Sequence, residues 1–223
     1  NRIDPSASNI MDTYLLTRGY DRQYRLFLDG QLNSRPLPPS SDQLYRSFGQ
    51  KLNQIKSISD EVIYHPVKYK VLFGSKANDD LQATFKAVKN PNQVLNDNDI
   101  KTRIISLINQ YFAIENWDFG DTFFFQELAT FVMNRMAPDL VTFIIVPNQL
   151  EQAFGSLFEI RSEPDEIFIS GATVNDVILI DEITASRLNA SGKVVTTSEA
   201  ATGNGIQSSR SVGTLNSTGG FSY

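Results

Sequence analysis

Residues 97–147 read DNDIKTRIISLINQYFAIENWDFGDTFFFQELATFVMNRMAPDLVTFIIVP. Asp97 to Asp99 offer side chains that cap a helix start, and a helix is predicted from there through Glu115. Ile100, Ile104, Leu107, Ile108 and Tyr111 recur at helical spacing and form its buried face. Trp117, Phe119 and Gly120 break the pattern. A second helix is predicted from about Thr122 to Met136, with Phe125, Leu128, Val132 and Met136 turned inward and Pro138 ending it. Val141-Thr142-Phe143-Ile144-Ile145-Val146 is then a short, almost wholly apolar run rich in β-branched residues. It reads as a buried strand closed by Pro147.

Upstream of this unit the periods alternate. Residues 9–17 read as a strand. A helix follows from about Arg18 to Asp29, with Tyr20, Tyr24 and Leu28 on one face and Gly30 as its stop. Pro36, Pro38 and Pro39 forbid helix in the linker from Asn33 to Ser41. Ser40 and Gln43 have the spacing of a capping box for the next helix, whose stripe is Leu44, Phe48, Leu52 and Ile55. Val62 to Tyr64, Val67 to Phe73 and Leu81 to Val88 read as strands, the last two as a hairpin across the turn Gly74 to Asp80. Downstream, three short strands are predicted at Leu157–Arg161, Glu166–Ser170 and Asp176–Ile180.

The order of elements predicts an α+β fold, a mostly antiparallel sheet with helices packed on one face. Three blocks are expected: a β-α-α segment at 1–60, an α+β domain at 61–188 and a tail at 189–223. The tail's 35 residues hold six of the 13 glycines, seven serines and three charges. That composition buries too little apolar surface to fold alone, so a flexible tail or a partner-binding arm is expected there, with Phe221 and Tyr223 as anchors. The chain opens at Asn1-Arg2-Ile3, which reads as a fragment or a processed product.

Composition narrows the chemistry. The absence of cysteine excludes disulfides, thiol nucleophiles and cysteine-ligated zinc. Net charge is −5, and residues 1–70 carry 10 Lys/Arg against 7 Asp/Glu where residues 71–223 carry 10 against 18. This division lacks the clustered positive charge of a nucleic-acid groove and suits complementary protein contacts. No apolar run reaches the ~20 residues needed to cross a bilayer, so no membrane partner is expected.

No catalytic, cofactor or metal site emerges from the motifs. His65, the one histidine, sits before Pro66 in extended backbone, and no nucleophile elbow exists to partner it. Glu163, Asp165 and Glu166 could serve as paired carboxylates for glycoside hydrolysis, but nothing in the sequence fixes their separation, and acidic turns before strands are common. Asn96 to Asp99 begins like a calcium loop. Thr102 and Ile108 then stand where glycine and glutamate are required, so helix capping explains the run better. Gly203-Asn204-Gly205 lacks the third glycine and preceding strand of a dinucleotide fingerprint.

Aromatic residues are the unusual feature. Tyr111, Phe112, Trp117, Phe119, Phe123, Phe124, Phe125 and Phe131 place eight of 24 aromatics within 21 residues. A helix cannot turn three consecutive phenylalanines inward, because successive residues point ~100° apart. At least one is therefore expected to face another element, another subunit or solvent. Trp117, Phe119, Phe123 and Phe124, with Phe221 and Tyr223, are the expected interface residues.

Three stretches together resemble a known family. They are Ile3-Asp4-Pro5-Ser6 through Asn9–Thr17, the helix–Trp117-Asp118-Phe119-Gly120–helix unit with its strand at Val141, and Glu163–Ile167 with Val177–Ile180. The chain is similar to the C-terminal part of baseplate wedge proteins of T4-like phages (gene product six). The second and third stretches also resemble the wider baseplate J family of contractile tails. The resemblance implies a virion protein without an active site, assembled in the host cytoplasm. It implies a homodimer within an inner ring around the tail hub, contacts with other wedge proteins, and rearrangement on sheath contraction. A tail-associated glycoside hydrolase and a carbohydrate- or receptor-binding module are the alternatives.

Overall fold

The structure, a computed structural model, describes residues 10–52, 61–92, 95–148 and 159–180. The expected tail, with Phe221 and Tyr223, lies outside them. In chain order the elements are β1 (Ile10–Leu15), α1 (Arg18–Leu28), α2 (Ser41–Leu52), β2 (Glu61–Pro66), β3 (Lys68–Leu72), β4 (Ala83–Lys89) and α3 (Asp97–Tyr111). There follow β5 (Thr122–Phe124), α4 (Phe125–Met136), β6 (Leu140–Pro147), β7 (Glu159–Arg161), β8 (Glu166–Ser170) and β9 (Val177–Ile180).

The mixed α+β class expected from the sequence is the class observed. Among the described residues the strands divide into small sheets ordered β1–β2, β3–β8, β6–β4–β9 and β5–β7. Pairing is parallel for β1–β2 and β4–β9 and antiparallel for β4–β6. The helix boundaries follow local chemistry. Thr17 caps α1 by accepting from Tyr20 N–H at 3.4 Å. At α2 the predicted capping box forms: Gln43 N–H donates to Ser40 Oγ at 3.3 Å, and Ser40 N–H donates to Gln43 Oε1 at 2.9 Å. At α3 the Asn/Asp run does cap, with Asn98 N–H donating to Asn96 Oδ1 at 3.0 Å.

Two expectations are corrected. The hairpin predicted over 67–88 does not form, since β3 pairs with β8 and β4 with β6 and β9. The chain leaves β3 through Phe73 at φ 66° and Gly74 at φ 68°, two left-handed residues in succession. For a bulky residue such as Phe73 this backbone costs roughly 1–3 kcal/mol and persists only where packing over-determines it. Phe73 is fully buried, edge-on to Phe85 at 5.0 Å and to Phe125 at 6.1 Å, and this packing offsets the strain. The second correction is that residues 122–124 are strand β5, not the first turn of a helix; α4 starts at Phe125.

The described residues fall into two compact units, each assembled from separated segments. The first draws on Asn1–Val71, Phe112–Phe123 and Ile160–Gly171, the second on Leu72–Tyr111, Phe124–Glu159 and Ala172–Tyr223. The units interleave along the chain, so their limits differ from the continuous blocks read in the sequence.

In the first unit, Tyr20, Tyr24, Phe27 and Tyr69 form a buried aromatic core. Its phenol oxygens are engaged: Tyr69 Oη donates to Asp21 Oδ1 at 2.5 Å, Tyr24 Oη accepts from Arg35 Nε at 2.7 Å, and Tyr20 Oη accepts from Tyr69 N–H at 3.4 Å. Burial raises all three phenol pKa values above the ordinary 10.0. In the second unit, α3 and α4 pack beside the β6–β4–β9 sheet. Ile100, Ile104 and Ile108 of α3, and Phe125, Leu128, Val132 and Met136 of α4, are buried as the spacing predicted, whereas Leu107 and Tyr111 of the predicted α3 face are half-buried.

Candidate functional site

The expected interface residues occupy different settings. Phe123 is fully buried in the first unit, and Trp117 closes the same cluster. Trp117 stacks on Phe112 at 5.5 Å and meets Phe168 edge-on at 5.0 Å. Phe123 belongs to the core of that unit, and Trp117 is half-buried against it. Phe119 and Phe124 remain 40% and 38% exposed and are the members that present surface. The break between them is built by Gly120, whose φ of 77° is left-handed and whose N–H donates to the Glu166 carbonyl at 3.2 Å. A Cβ at Gly120 would also meet Pro164 Cα at 3.4 Å. The glycine of the Trp-x-Phe-Gly run is thus required by its backbone.

The consecutive phenylalanines are separated by strand geometry rather than helical rotation. In β5, neighbouring side chains point to opposite faces, so Phe123 goes inward and Phe124 outward. Phe125 then begins α4 and is buried.

In the second unit, Phe124 stands at an open groove of about 970 Å³ lined by one side of α4, the end of α3 and part of β6. Tyr111 and Phe131 meet edge-on at 5.2 Å on its wall. The Arg135 guanidinium lies 3.6 Å over the Phe131 ring, a cation–π contact that holds a cation against an aromatic surface. Glu127 Oε2 accepts from Tyr111 Oη at 3.3 Å. Glu127 and Arg135 therefore line one groove, and neither forms an ion pair among the described residues. Such a surface, apolar with one charge of each sign, is suited to a protein contact.

The candidate chemical groups are tied into structural contacts. His65 Nε2 lies 2.8 Å from Asp12 Oδ1, and its ring stacks on Tyr14 at 5.0 Å, an exposed pairing across the β1–β2 sheet. Lys70 Nζ lies 3.3 Å from Glu166 Oε2 and Lys68 Nζ 3.8 Å from Glu166 Oε1. Lys68 also reaches Asp165 Oδ2 at 3.3 Å, and Glu163 N–H donates to Glu166 Oε2 at 3.0 Å. The acidic turn thereby clamps β8 to β3. Among the described residues no group of three or more His, Asp or Glu side chains could hold a metal ion. No helix among them is long and apolar enough to cross a membrane.

The sequence reading missed Lys86. It is fully buried on β4, its Nζ has no hydrogen-bond partner among the described residues, and burial lowers its pKa below the ordinary 10.5. Its strand lies between β6 and β9, and that central position encloses it.

Comparison of the sequence with known protein families and with characterised proteins finds no match to either.

Proposed function

We propose that the protein is a structural subunit of a contractile phage tail, a baseplate wedge component that acts by self-association. The single observation that carries the reading is the aromatic surface left over after each unit has filled its core. Phe119 is exposed in the first unit, and Phe124 stands beside an aromatic groove in the second. The helix–Trp-x-Phe-Gly–helix unit and the strand that follows it supply the resemblance that connects this surface to wedge proteins. In that setting, copies of the chain associate with one another and with other wedge proteins, and repeated contacts close a ring by symmetry.

The clamped state of Glu166 favours a structural role for the acidic turn over the hydrolytic alternative. The test is sedimentation equilibrium of the purified chain over a hundredfold range of concentration. A mass of at least twice the monomer is expected, shifting towards monomer in Phe124→Ser. A monomeric mass at every concentration would overturn the reading.

A further inference from the structure

Strand β6 has β4 on one side and, among the described residues, no strand on the other. It runs eight residues, Leu140-Val141-Thr142-Phe143-Ile144-Ile145-Val146-Pro147, without a charge and with proline only at its end. Natural sheets usually blunt such an edge with lysine, proline or a bulge, because its free backbone groups are a template for another strand. None of these devices lies within Thr142–Val146; the one irregularity falls at the start of β6, where Val88 pairs with Thr142 and Lys89 with Leu140 and Val141 is the bulged residue.

The pairing fixes which backbone groups face outward. Asn148 N–H donates to the Gln82 carbonyl at 2.9 Å, and the register runs on through Thr84↔Val146, Lys86↔Ile144 and Val88↔Thr142. In an antiparallel ladder, hydrogen-bonded pairs alternate with non-bonded ones. Thr142, Ile144 and Val146 therefore direct their backbone groups to β4, while Phe143 and Ile145 direct theirs to the open side.

That pattern is self-complementary. A second copy of β6, antiparallel and related by a two-fold axis at Ile144, sets Phe143 against the partner copy's Ile145 and Ile145 against the partner copy's Phe143. Each such pair exchanges both of its backbone bonds. Charge agrees with the same operator. Glu127 lies near the start of α4 and Arg135 near its end, both line the groove beside β6, and a two-fold axis brings opposite signs together across the contact.

We propose that β6 is the self-association edge of this protein, joined to a second copy by antiparallel strand pairing centred on Ile144. This rests on the self-association reading above and names the surface that performs it. The chain has no cysteine, so an introduced thiol reports alone. At a non-hydrogen-bonded antiparallel pair the Cα atoms lie about 4.5 Å apart, within the span a disulfide bridges.

Ile144→Cys, oxidised by copper-activated oxygen, is expected to form a covalent dimer on a non-reducing gel. Two thiols lose two protons and two electrons to the oxygen as the Sγ–Sγ bond forms. Thr142→Cys and Val146→Cys pair with each other across the same axis. They are expected to stay monomeric separately and to cross-link when mixed. This second pair keeps the test valid if Ile144→Cys fails to fold. If the chain sediments as a dimer but neither thiol arrangement cross-links, the β6 edge is overturned and self-association stands. If the chain is a monomer and no variant cross-links, both fall, and the edge then belongs to a strand from another protein.

Discussion

Strands β4 and β6 lie side by side, β4 with two lysines and β6 without a charge, yet the strand that carries the lysines is the more buried. On β4 the run Phe85-Lys86-Ala87-Val88 is buried without interruption, lysine included. On β6, Val141 is 55% exposed and Ile144, Ile145 and Val146 are half-buried. The difference is the number of neighbours: among the described residues β4 pairs with β6 and with β9, whereas β6 pairs with β4 alone. In this sheet, position decides burial more than hydropathy does. A central strand encloses an amine at a cost in free energy, and an edge strand leaves valine in water at little cost.

The sharpest way to break this comparison is to truncate the centre. Phe85 is fully buried, stacked on Phe143 at 5.8 Å and edge-on to Phe73 at 5.0 Å. Phe85→Ala is expected to destabilise the chain by about 3–5 kcal/mol in urea unfolding, the sum of lost transfer energy and cavity. It also removes the ring that holds Phe73 in its left-handed backbone. A loss below about 1 kcal/mol would mean that β4 is not the centre of its sheet.

The next effect has the opposite sign. Lys86→Met keeps the alkyl stem and removes a buried amine that has no hydrogen-bond partner among the described residues, so a gain of about 1–3 kcal/mol is expected. The pH dependence separates this from general packing. Because the folded pKa of Lys86 lies below the unfolded value, the unfolded chain binds more protons between the two. Stability should therefore rise with pH from that depressed value up to the ordinary 10.5, and be lost as pH falls back through it. Lys86→Met should abolish this rise. Above about pH 10 the tyrosines of the first unit act the other way. Tyr20, Tyr24 and Tyr69 hold their protons in the folded state, so their contribution is present below 10.0 and declines at higher pH. Unfolding followed from pH 7 to 11 should show the rise in the parent, no rise in Lys86→Met, and the alkaline decline in both.

What the sequence allowed one to read follows the same physical division. Helices were legible because their signals are local: the Ser40/Gln43 box, the isoleucine spacing of α3 and the inward set of α4 depend on residues a few positions apart. That at least one of Phe123, Phe124 and Phe125 turns outward was also foreseeable, but which one was not: Phe123 and Phe124 read alike as interface residues, and only Phe124 is exposed. The cause of that turn was read as helical rotation where the structure uses strand alternation. Strand partners were not legible. The hairpin drawn from Val67 to Val88 failed because β3 takes a partner almost a hundred residues downstream in β8, and no turn motif announces such a pairing. Burial of Lys86 was hidden for the same reason, because alternation along β4 says nothing about how many strands flank it.

The mildest prediction sharpens the comparison most directly, because it makes one chemical change on each strand. Valine to threonine alters volume little but introduces a hydroxyl that must find a hydrogen-bond partner or water. At Val141 water is at hand and threonine is also a good strand former, so Val141→Thr is expected to lie within about 0.5 kcal/mol of the parent. Val88 is only 8% exposed and lies on β4, where the same hydroxyl loses most of its water. Val88→Thr is expected to cost about 1–3 kcal/mol on that account. The two variants, compared by urea unfolding under one condition, measure the difference between edge and centre with side-chain chemistry held constant. Equal costs at both positions would mean that the open side of β6 is covered in solution, and the exposure of Val141 would then be the first thing to revise.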